Sequence, residues 1–422
     1  MNTSLVGSDV EVPCSDGTSR RYVNLDYAAS TPVLQAVWEA VEAFVPYYSS
    51  VHRGTGAKSR ISTEAYEHAR EAVQRFVGAP DATAILVRNT TEAINVLAHS
   101  LPPGSRILST PVEHHANMLP WREHDLRLVP FPHTPAQLLN DVEDALKARP
   151  TDLLAITGAS NVTGEVWPLK ELAGLAHAHG AELLVDAAQL APHRAIEMER
   201  TGIDHLALSG HKLYAPFGTG ALVSRVPRLG DPLIKGGGAI KLVTVDDVVW
   251  ADAPERYEAG SPNVIGAVAL AAACEHLDMA SVEQHERALA AHLHAGLAAI
   301  DGLTTLALWP GHPDRVGVVT FTLAGWRDTD LAQTLSDEFA IGVRHGCFCA
   351  HPLLTRLLHV TDEEARRLHR ELKAGREPEL PGAVRASIGL GTTVQDVDAL
   401  VAALSACQTR WGVAGMSMFL TP

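Results

Sequence analysis

The sequence predicts an α/β protein in which a large domain with a mostly parallel sheet precedes a smaller α+β domain. Short β-rich runs alternate with helical segments up to about residue 264, a pattern typical of parallel strands covered by helices on both faces. Beyond that point long helices precede a few strands, and a chain of 422 residues has room for two domains. We expect an arm at 1–25, the large domain at 26–264 and the small domain at 265–422.

The predicted strands of the large domain are short runs of apolar and β-branched residues. They lie at 82–87, 106–109, 126–129, 153–157, 183–185 and 205–208. Residues that start or stop helices stand before the first of these strands and in several of the intervals between them. One helix begins at Ser62 or Thr63 and ends at Gly78, and two others begin at Thr134–Pro135 and at Trp167–Pro168.

In the small domain, helical periodicity and apolar runs predict a second set of elements. These are helices at 264–279, 281–300 and 329–339, strands at 303–308 and 316–322, and a last strand and helix near 383–404. A charged segment at 361–379 opens with the capping-box pattern Thr361-x-x-Glu364 and carries both charge signs. We expect it to form a solvated surface helix, inserted after a cysteine-containing loop at 344–352.

The composition is that of a soluble globular protein, with 46% hydrophobic and 20% charged residues. A net charge of −15 disfavours nucleic acids and anionic membranes as partners and favours a small-molecule substrate. No stretch has the apolar length of a membrane helix, and the N-terminus lacks the pattern of a secretory signal. Five cysteines are too few for a disulfide framework, so we expect a reducing, cytoplasmic location.

Polar residues that follow the predicted strands are the first candidates for a site, because ligands bind beyond the carboxyl ends of parallel strands. After 82–87 comes Asn89-Thr90-Thr91-Glu92, where two hydroxyl groups meet the N-terminus of a helix. Free N–H groups and the positive end of the helix dipole suit such a place to a phosphate. The alternative is an ordinary threonine N-cap.

Two later strands end in residues that complement a phosphate site. Asp186 and Gln189 follow 183–185, and Ser209-Gly210-His211-Lys212 follows 205–208. A lone lysine is usually a surface residue, but burial of Lys212 would depress its pKa and make it a competent Schiff-base nucleophile. A phosphate site, an acid and such a lysine together meet the requirements of pyridoxal 5'-phosphate (PLP).

Two further loops of the large domain carry candidate residues. Glu113-His114-His115 follows 106–109 and offers an imidazole for stacking on a planar cofactor and for proton transfer. Adjacent histidines also suggest a metal ligand or a surface feature, but no HExxH or spaced Cys/His set accompanies them, so we predict no metal site. Asn161, in the turn that follows 153–157, either directs an amide toward the same crevice or is simply part of a turn.

The small domain contributes the segment Arg344-His345-Gly346-Cys347-Phe348-Cys349. Two thiols flanked by Arg and His in a Gly-containing loop suit a lowered thiolate pKa and therefore a nucleophile. The alternatives are a redox pair, a metal clip and inert structural cysteines. Arg385, in the last predicted strand, suits a bidentate clamp for a substrate carboxylate, with a surface ion pair as its alternative.

Six short sequences stand in a characteristic order along the chain. They are NLDYAASTP from Asn24, HRG from His52, NTTEAIN from Asn89, EHHAN from Glu113, SGHKLY from Ser209 and EAGSPN from Glu258. In this order and spacing they resemble the fold-type I PLP-dependent enzymes of the class V aminotransferase superfamily, in particular its cysteine desulfurases and selenocysteine lyases. The resemblance implies a mostly parallel seven-stranded sheet, a small C-terminal domain and a homodimer with shared active sites.

The resemblance also implies a role for each candidate residue. Lys212 would form the Schiff-base link to PLP, Asp186 would pair with the pyridinium nitrogen and Gln189 would contact the phenolic oxygen. The remaining implied roles are ring stacking by His114, phosphate binding by Thr90, Thr91, Ser209 and His211, a contribution of Ser261 from a second subunit, and orientation of the amino-acid substrate by Asn161 and Arg385.

In the desulfurase pattern Arg-x-Gly-x-x-Cys-Ala the last cysteine attacks the substrate sulfur, and 344–350 places Cys349 in that role. The implied reaction converts L-cysteine to L-alanine, leaves a persulfide on Cys349 and passes the sulfur to an acceptor protein. Cys347, placed as in the Cys-Phe-Cys loop of molybdenum-cofactor sulfurases, is an alternative nucleophile or resolving thiol. The same fold would also suit a C–S lyase, an epimerase or an aminotransferase that forms no persulfide, or a non-catalytic scaffold or sulfur-relay partner.

Overall fold

The structure, a computed structural model, describes residues 4–226 and 230–418, except for the side chains of 411–418. Residues 1–3 of the predicted arm and 419–422 of the predicted small domain lie outside the described residues. The strands are β1 (Glu11–Pro13), β2 (Ser19–Arg21), β3 (Val23–Asn24), β4 (Thr83–Val87), β5 (Arg106–Ser109), β6 (Asp125–Leu128), β7 (Leu153–Thr157), β8 (Glu182–Asp186), β9 (His205–Ser209), β10 (Gly220–Ser224), β11 (Ile240–Val243), β12 (Val248–Trp250), β13 (Leu303–Leu306), β14 (Val318–Leu323), β15 (Ile341–Gly342), β16 (Arg344–Gly346) and β17 (Ala383–Ser387). The helices are α1 (Gln35–Phe44), α2 (Ala57–Phe76), α3 (Thr90–Ser100), α4 (Pro135–Ala148), α5 (Leu169–Ala178), α6 (Met198–Thr201), α7 (Val264–His276), α8 (Met279–Ala298), α9 (Asp328–Phe339), α10 (His351–Leu357), α11 (Asp362–Lys373) and α12 (Val394–Met418).

The described chain forms two compact units, each assembled from separate segments. The first unit comprises residues 4–6, Ser30–Ala159 and Val166–Val282. The second unit comprises Gly7–Ala29, Ser160–Glu165 and the described residues from Glu283 onward.

The first unit contains a seven-stranded sheet with the order β4-β10-β9-β8-β7-β5-β6. The strands from β9 to β6 are parallel to one another, whereas β10 is antiparallel to both β9 and β4. β7 and β9 are buried along their whole length, as expected for strands covered on both faces. The predicted mostly parallel sheet is therefore confirmed, and Asp186 and Ser209 stand at the carboxyl ends of adjacent strands.

The second unit contains a four-stranded antiparallel sheet with the order β13-β14-β17-β16. Its core includes Leu289, Leu293 and Leu297, which recur every four residues along α8 and therefore share one helix face. Val384 and Ala386 of β17 belong to the same core. Because successive side chains of a strand point to opposite faces of the sheet, Arg385 between them faces away from this core.

The unit boundaries differ from the predicted domain boundaries. α7 belongs to the first unit because it packs against α1 and α2. Residues 160–165 belong to the second unit, where the Glu165 carboxylate accepts hydrogen bonds from Leu308 N at 2.9 Å and from Arg315 Nη2 at 2.7 Å. Most of the predicted arm also belongs to the second unit, because β3 pairs with β15 in parallel.

The predicted start of the α2 helix was wrong, because α2 begins at Ala57. Ser62 Oγ accepts a hydrogen bond from Ser49 N at 2.8 Å, and Thr63 Oγ1 accepts one from His52 N at 2.8 Å. These hydroxyl groups therefore hold the segment that precedes the helix instead of capping it. The predicted end at Gly78 is confirmed, since the helix stops at Phe76 and Gly78 has a left-handed φ of 65°.

Other predicted helix starts agree with the structure. Thr134 Oγ1 accepts a hydrogen bond from Gln137 N at 3.1 Å and caps α4, which has Pro135 as its first residue. Thr361 Oγ1 accepts from Glu364 N at 3.2 Å and caps α11. Leu368 is the buried residue of α11, so the predicted surface helix is confirmed.

Within the described residues, no single helix combines the length and apolar character that a membrane crossing requires. α7 and α8 pass such a test only when taken together, as a pair with a sharp bend between them.

Candidate active site

Lys212 ends a short 3-10 helix, Gly210–Lys212, that directly follows β9 in the first unit. The turn is tight because residue 210 is glycine: a Cβ there would lie 2.6 Å from Thr219 O. Gly210 N donates to Thr219 O at 2.7 Å, and Leu213 N donates back to Gly210 O at 2.8 Å. The lysine is therefore carried by backbone with little freedom to move.

The segment Ser30-Thr31 fixes this turn from the side. Thr31 N donates to His211 O at 2.8 Å, and Ser30 Oγ donates to the same oxygen at 3.1 Å. Thr31 Oγ1 also donates to His211 O, and it accepts from Tyr214 N at 2.8 Å. Sequence reasoning used these two residues only as part of a landmark, because partners this distant in sequence leave no local pattern.

Burial, and secondarily the charge of neighbouring Lys212, lowers the pKa of His211 to about 4. The imidazole is therefore neutral near pH 7. Toward an anion it acts as a hydrogen-bond donor and not as a cation.

The N-terminus of α3 meets the end of β9. Thr90 N donates to Ser209 Oγ at 2.8 Å, and the two hydroxyl oxygens of Thr90 and Ser209 are 2.7 Å apart. Asn89 caps the helix, because its Oδ1 accepts from Glu92 N at 3.0 Å. Thr91, which follows on α3, is exposed. Three of the predicted phosphate-binding hydroxyl groups therefore stand at or beside one helix N-terminus.

Asp186 is the last residue of β8 and is buried. Burial raises the pKa of its carboxyl group, while the hydrogen bond from Ala188 N at 3.0 Å and the charge of Lys212 act in the opposite direction. Gln189, three residues further on, is buried as well. A buried carboxylate of this kind is stabilised by a cationic partner.

His114 is the N-cap of the 3-10 helix His115–Asn117, in a loop after β5. Its Nδ1 accepts a hydrogen bond from Ala116 N at 3.0 Å. Because Nδ1 is the acceptor, Nε2 carries the proton of the neutral ring. The ring is half-buried, and its orientation is fixed by this bond.

Glu113, next to His114, is a fully buried carboxyl group that sequence reasoning did not single out. Its two oxygens accept hydrogen bonds from Thr110 Oγ1 at 2.7 Å and from Asn117 Nδ2 at 2.8 Å. Asn117 Oδ1 in turn accepts from Trp121 Nε1 at 3.1 Å. Burial, with a smaller contribution from the charge of Asp186, raises the pKa of Glu113 to about 8. The loop that carries His114 is therefore built around a carboxyl group that is mostly protonated at neutral pH.

Ser261 is exposed and lines a cavity of about 590 Å³ in the first unit, together with His52 and Arg53. The lining residues do not include the candidates at the ends of β8 and β9. The loop that carries Ser261 is held in place by Glu258, whose carboxylate accepts hydrogen bonds from Arg70 Nη1 and from Leu86 N, each at 2.7 Å. Ser261 therefore lines a cavity to which the candidate residues at the ends of β8 and β9 do not contribute.

In the second unit, Arg385 is buried beside two other charged groups. Its Nη2 donates to Asp26 Oδ1 at 3.3 Å, and Arg344 Nη2 lies 2.8 Å from the other oxygen of that carboxylate. Arg385 Nη1 donates to the backbone oxygen of Asn161 at 2.9 Å. Burial lowers the pKa of Arg385 to about 10, against the opposing effect of the Asp26 carboxylate. Asp26 stood in the sequence only as part of a landmark.

Cys347, Phe348, Cys349 and Ala350 form a tight turn next to these residues. Ala350 N donates to Cys347 O at 3.0 Å, and φ is 54° at Phe348 and 55° at Cys349. Left-handed conformations at both central residues identify a type I′ turn, which usually contains Gly, Asn or Asp at these positions. Cys349 is exposed and Cys347 is half-buried. The turn therefore presents Cys349 to solvent at the expense of backbone strain.

Phe348 is the buried one of the two central residues of this turn, and it contacts both candidate substrate-binding side chains. Asn161 Nδ2 donates to Phe348 O at 2.7 Å. The guanidinium carbon of Arg385 lies 5.1 Å from the centre of the Phe348 ring, within the range of a cation–π contact. The structure therefore brings Asn161, Arg385 and the cysteine-bearing turn together within the second unit.

Comparison with known proteins agrees with this arrangement. Residues 23–400 match the model of the family described as aminotransferase class-V. The chain is 35% identical to a probable cysteine desulfurase of Halalkalibacterium halodurans, over 92% of this chain and 94% of the relative. It is similar to the structure of a cysteine desulfurase from Thermococcus onnurineus NA1, with a TM-score of 0.79, 29% identity, and 92% and 95% of the two chains covered. A cysteine desulfurase structure from Escherichia coli, in its S-sulfonic acid form, gives a TM-score of 0.76 and 33% identity, with 91% and 94% covered.

A parallel sheet with a lysine turn at the end of one strand, joined in sequence to a smaller antiparallel unit, defines a fold-type I enzyme of the PLP-dependent class. The chain belongs to the aminotransferase class-V family. The resemblance found in the sequence motifs is thus confirmed.

Proposed function

We propose that this protein is a PLP-dependent cysteine desulfurase that converts L-cysteine to L-alanine and collects the sulfur as a persulfide on Cys349. The observation that carries the proposal is the arrangement in the second unit: an exposed thiol at the tip of a strained turn, held by the two side chains that suit an amino-acid carboxylate. The relatives named as cysteine desulfurases, which match along nearly the whole chain, support the same activity.

The residues of the first unit fit PLP. Thr90 and Thr91 at the start of α3, with Ser209 at the end of β9, would hold the phosphate together with a neutral His211. Asp186 would face the ring nitrogen, because a buried carboxylate needs a cationic partner. Further contacts to the cofactor would come from Gln189 at the phenolic oxygen, from the ring of His114 and from Ser261 of a second subunit.

When bound, PLP supplies an electron sink that makes removal of the substrate's Cα proton feasible. Lys212 would bind the cofactor and then carry this proton, because its turn at the end of β9 is held on both sides by hydrogen bonds. His114 would keep its ring in place through the bond from Ala116 N, with a proton available at Nε2.

Arg385 and Asn161 would orient the substrate. The guanidinium of Arg385 keeps an unused donor, since Nε is buried and has no hydrogen-bond partner in the described part of the chain. An arginine with donors to spare suits a carboxylate, which accepts two parallel hydrogen bonds. These donors suit the carboxylate of an α-amino acid, and the exposed Cys349 thiol in the turn held by Asn161 suits an amino acid with sulfur at the γ position.

Sulfur transfer would take place at Cys349. The thiolate attacks the sulfur atom of L-cysteine, an S–S bond forms while the substrate's Cβ–S bond breaks, and Cβ takes the bonding electron pair and then a proton. The products are L-alanine and a persulfide on Cys349. An acceptor thiol on another protein would then remove the outer sulfur.

We extend the proposal to the molecule's surroundings. A homodimer, in which Ser261 of one subunit completes the phosphate site of the other, accounts for a cavity that is lined by Ser261 and not by the candidates at the strand ends. In this proposal the sulfur passes to an acceptor protein, and the enzyme works in a reducing cytoplasmic compartment. Neither a nucleic acid nor a membrane is a partner.

The test is the production of L-alanine and sulfide from L-cysteine, with a thiol reductant present, by the wild type and by the Cys347→Ala and Cys349→Ala variants. Each preparation is first checked for the visible absorbance of the bound cofactor. We expect equal amounts of both products from the wild type and from Cys347→Ala. For Cys349→Ala we expect retained cofactor and a rate lower by about two orders of magnitude or more.

Two outcomes would contradict the proposal. If Cys349→Ala kept the full rate, the nucleophile would be Cys347 or the reaction would need no persulfide. If the wild type held the cofactor but made no alanine, the protein would catalyse another class V reaction.

A further inference from the structure

Phe348 occupies a position that its residue type disfavours. It is the first central residue of the type I′ turn, where φ must be positive, and the Cβ of a phenylalanine makes that conformation costly. Cys349 at the second central position bears the same cost. A turn built from two disfavoured residues persists only where its surroundings hold it.

The surroundings that hold this turn are the proposed substrate-binding side chains themselves. Asn161 Nδ2 donates to the Phe348 carbonyl oxygen at 2.7 Å, and the Phe348 ring lies over the Arg385 guanidinium at 5.1 Å. Arg385 Nη1 donates to Asn161 O at 2.9 Å, which closes the set into a triangle. Phe348 and Arg385 are each less than a tenth exposed, so solvent does not compete strongly for these contacts.

Phe348 is therefore linked through its carbonyl oxygen to one carboxylate-orienting residue and through its ring to the other. Any shift of Phe348 displaces Cys349, which follows it in the same turn. A shift in the position of a reacting group by about 1 Å costs large factors in rate.

We propose that Phe348 is a positioning residue, which sets the Cys349 thiol relative to the Asn161–Arg385 pair so that the nucleophile and the substrate share one anchor. The inference rests on the proposed function and deepens it. Phe348 itself touches no reacting atom, and its contribution acts entirely through the turn.

The first test measures the turn directly and needs no turnover. Amide hydrogen exchange is followed in peptides that cover residues 344–352 for the wild type, Phe348→Leu and Phe348→Tyr. Leucine removes the ring that lies over Arg385, whereas tyrosine keeps it. We expect the amides of the turn, that of Ala350 above all, to exchange about tenfold faster in Phe348→Leu and at close to the wild-type rate in Phe348→Tyr.

Phe321→Leu is the matched control. Phe321 is a fully buried phenylalanine in the core of the same unit, so its replacement costs folded stability without removing either contact of Phe348. The proposal is overturned if exchange in the turn is no faster in Phe348→Leu than in Phe321→Leu.

The second test separates substrate binding from chemistry. For Phe348→Leu we expect kcat with L-cysteine to fall by about tenfold or more while KM changes by less than about threefold, because the thiol is misplaced and the carboxylate site remains. Phe348→Tyr should restore most of kcat. Wild-type values of both constants in Phe348→Leu would overturn the proposal.

The two tests keep the failure of this inference apart from the failure of the proposed function. If the wild type made no alanine from L-cysteine, the proposed function would fail and the role of Phe348 in catalysis would fail with it, whatever the exchange data showed. If the wild type were active and the exchange of Phe348→Leu matched the control, only the inference would fail.

Discussion

Glu113 and Asp186 are buried carboxyl groups of the first unit that have different surroundings. Both have raised pKa values because burial disfavours the charged form. Asp186 interacts with the charge of Lys212, whereas both oxygens of Glu113 are taken up by Thr110 and Asn117. Asp186 is therefore the group that suits a cationic ligand, and Glu113 is a structural acid that holds the loop of His114.

The raised pKa of Glu113 predicts a pH-dependent loss of stability. The unfolded chain ionises near the ordinary value of 4.5, and the folded protein ionises near 8. As the pH rises between these two values, each pH unit therefore lowers the free energy of unfolding by up to about 1.4 kcal/mol. Above the higher value there is no further loss. In Glu113→Gln this pH-dependent loss of folding stability should be absent. The urea midpoints of the variant should therefore fall less than those of the wild type from pH 5 to pH 8.

Glu64→Gln is the control for this measurement, because Glu64 is exposed on α2. Its midpoints should follow those of the wild type at every pH. Parallel curves for Glu113→Gln and the wild type would contradict the assignment of a raised pKa.

Lys212 carries a second prediction at the residue scale. Lys212→Ala should lose the visible absorbance of the bound cofactor and all turnover, because no other side chain stands in the turn after β9 to bind the cofactor covalently. Lys235→Ala is the control, since Lys235 is exposed and pairs with Asp231 at 3.3 Å. Spectra recorded before and after addition of L-cysteine check both variants. Retained absorbance in Lys212→Ala would contradict the assignment of Lys212 as the residue that binds the cofactor.

At the scale of elements, β10 shows how closely packed backbone positions the site. It is the antiparallel strand between β9 and β4, and Gly220 begins it opposite Ser209. A Cβ at this position would overlap Leu208 O and lie 2.9 Å from Asn89 Cα. Ser209 belongs to the proposed phosphate site, and Asn89 caps the helix that carries Thr90 and Thr91. The absence of a side chain at residue 220 therefore brings the strand and the helix start of that site together.

Gly220→Ala should therefore destabilise the protein by about 1–3 kcal/mol, because the added methyl group meets backbone that cannot move aside cheaply. We also expect weaker binding of the cofactor. Urea unfolding of the cofactor-free protein and titration with PLP measure the two effects. A stability equal to that of the wild type would show that β10 adjusts more easily than the packing indicates.

Gly174→Ala should have the opposite effect on stability and is the control for Gly220→Ala. Gly174 lies on the exposed side of α5, and a Cβ there would meet nothing within 4 Å. Because alanine loses less conformational entropy in a helix than glycine, this variant should be more stable by about 0.5–1 kcal/mol. The same urea experiment checks it, and the activity should be unchanged.

At the scale of the whole molecule, apolar side chains of the hairpin formed by β11 and β12 are exposed. They are Leu242, Val243, Val245 and Val249, and Val245 has no contact that covers it within the described chain. Exposed apolar groups close together on a surface are typical of regions that contact another protein. They agree with the proposed homodimer, in which a second subunit would supply Ser261.

Light scattering on the holoenzyme should therefore give a mass of twice the 45.1 kDa of the chain. The mass should be the same in Cys349→Ala, which keeps the fold and the cofactor. A mass of one chain, in a preparation that turns over L-cysteine, would rule out a site shared between subunits.

The sequence predicted the elements that depend on local pattern. The predicted strands at 106–109 and 153–157 coincide with β5 and β7, and Thr134 and Thr361 cap their helices, because burial periodicity and capping are encoded within a few neighbouring residues. The start of α2 was predicted wrongly because Ser62 and Thr63 have the composition of a cap but bond to a segment that precedes the helix. α1 and β10 were not predicted at all.

For the site, the sequence by itself determined the kinds of chemical groups and their order: a lysine, an acid, hydroxyl groups at a helix start, an arginine and two thiols, in motifs that a family shares. Only the tertiary structure decided how these groups are held. Several of the contacts join residues that are distant in sequence. They are the hydrogen bonds from Thr90 to Ser209 and from Thr31 to His211, the ion pair of Asp26 with Arg385, and the contacts of Asn161 and Arg385 with Phe348. Such contacts form only when separate segments of the chain pack together, and therefore no local sequence pattern predicts them.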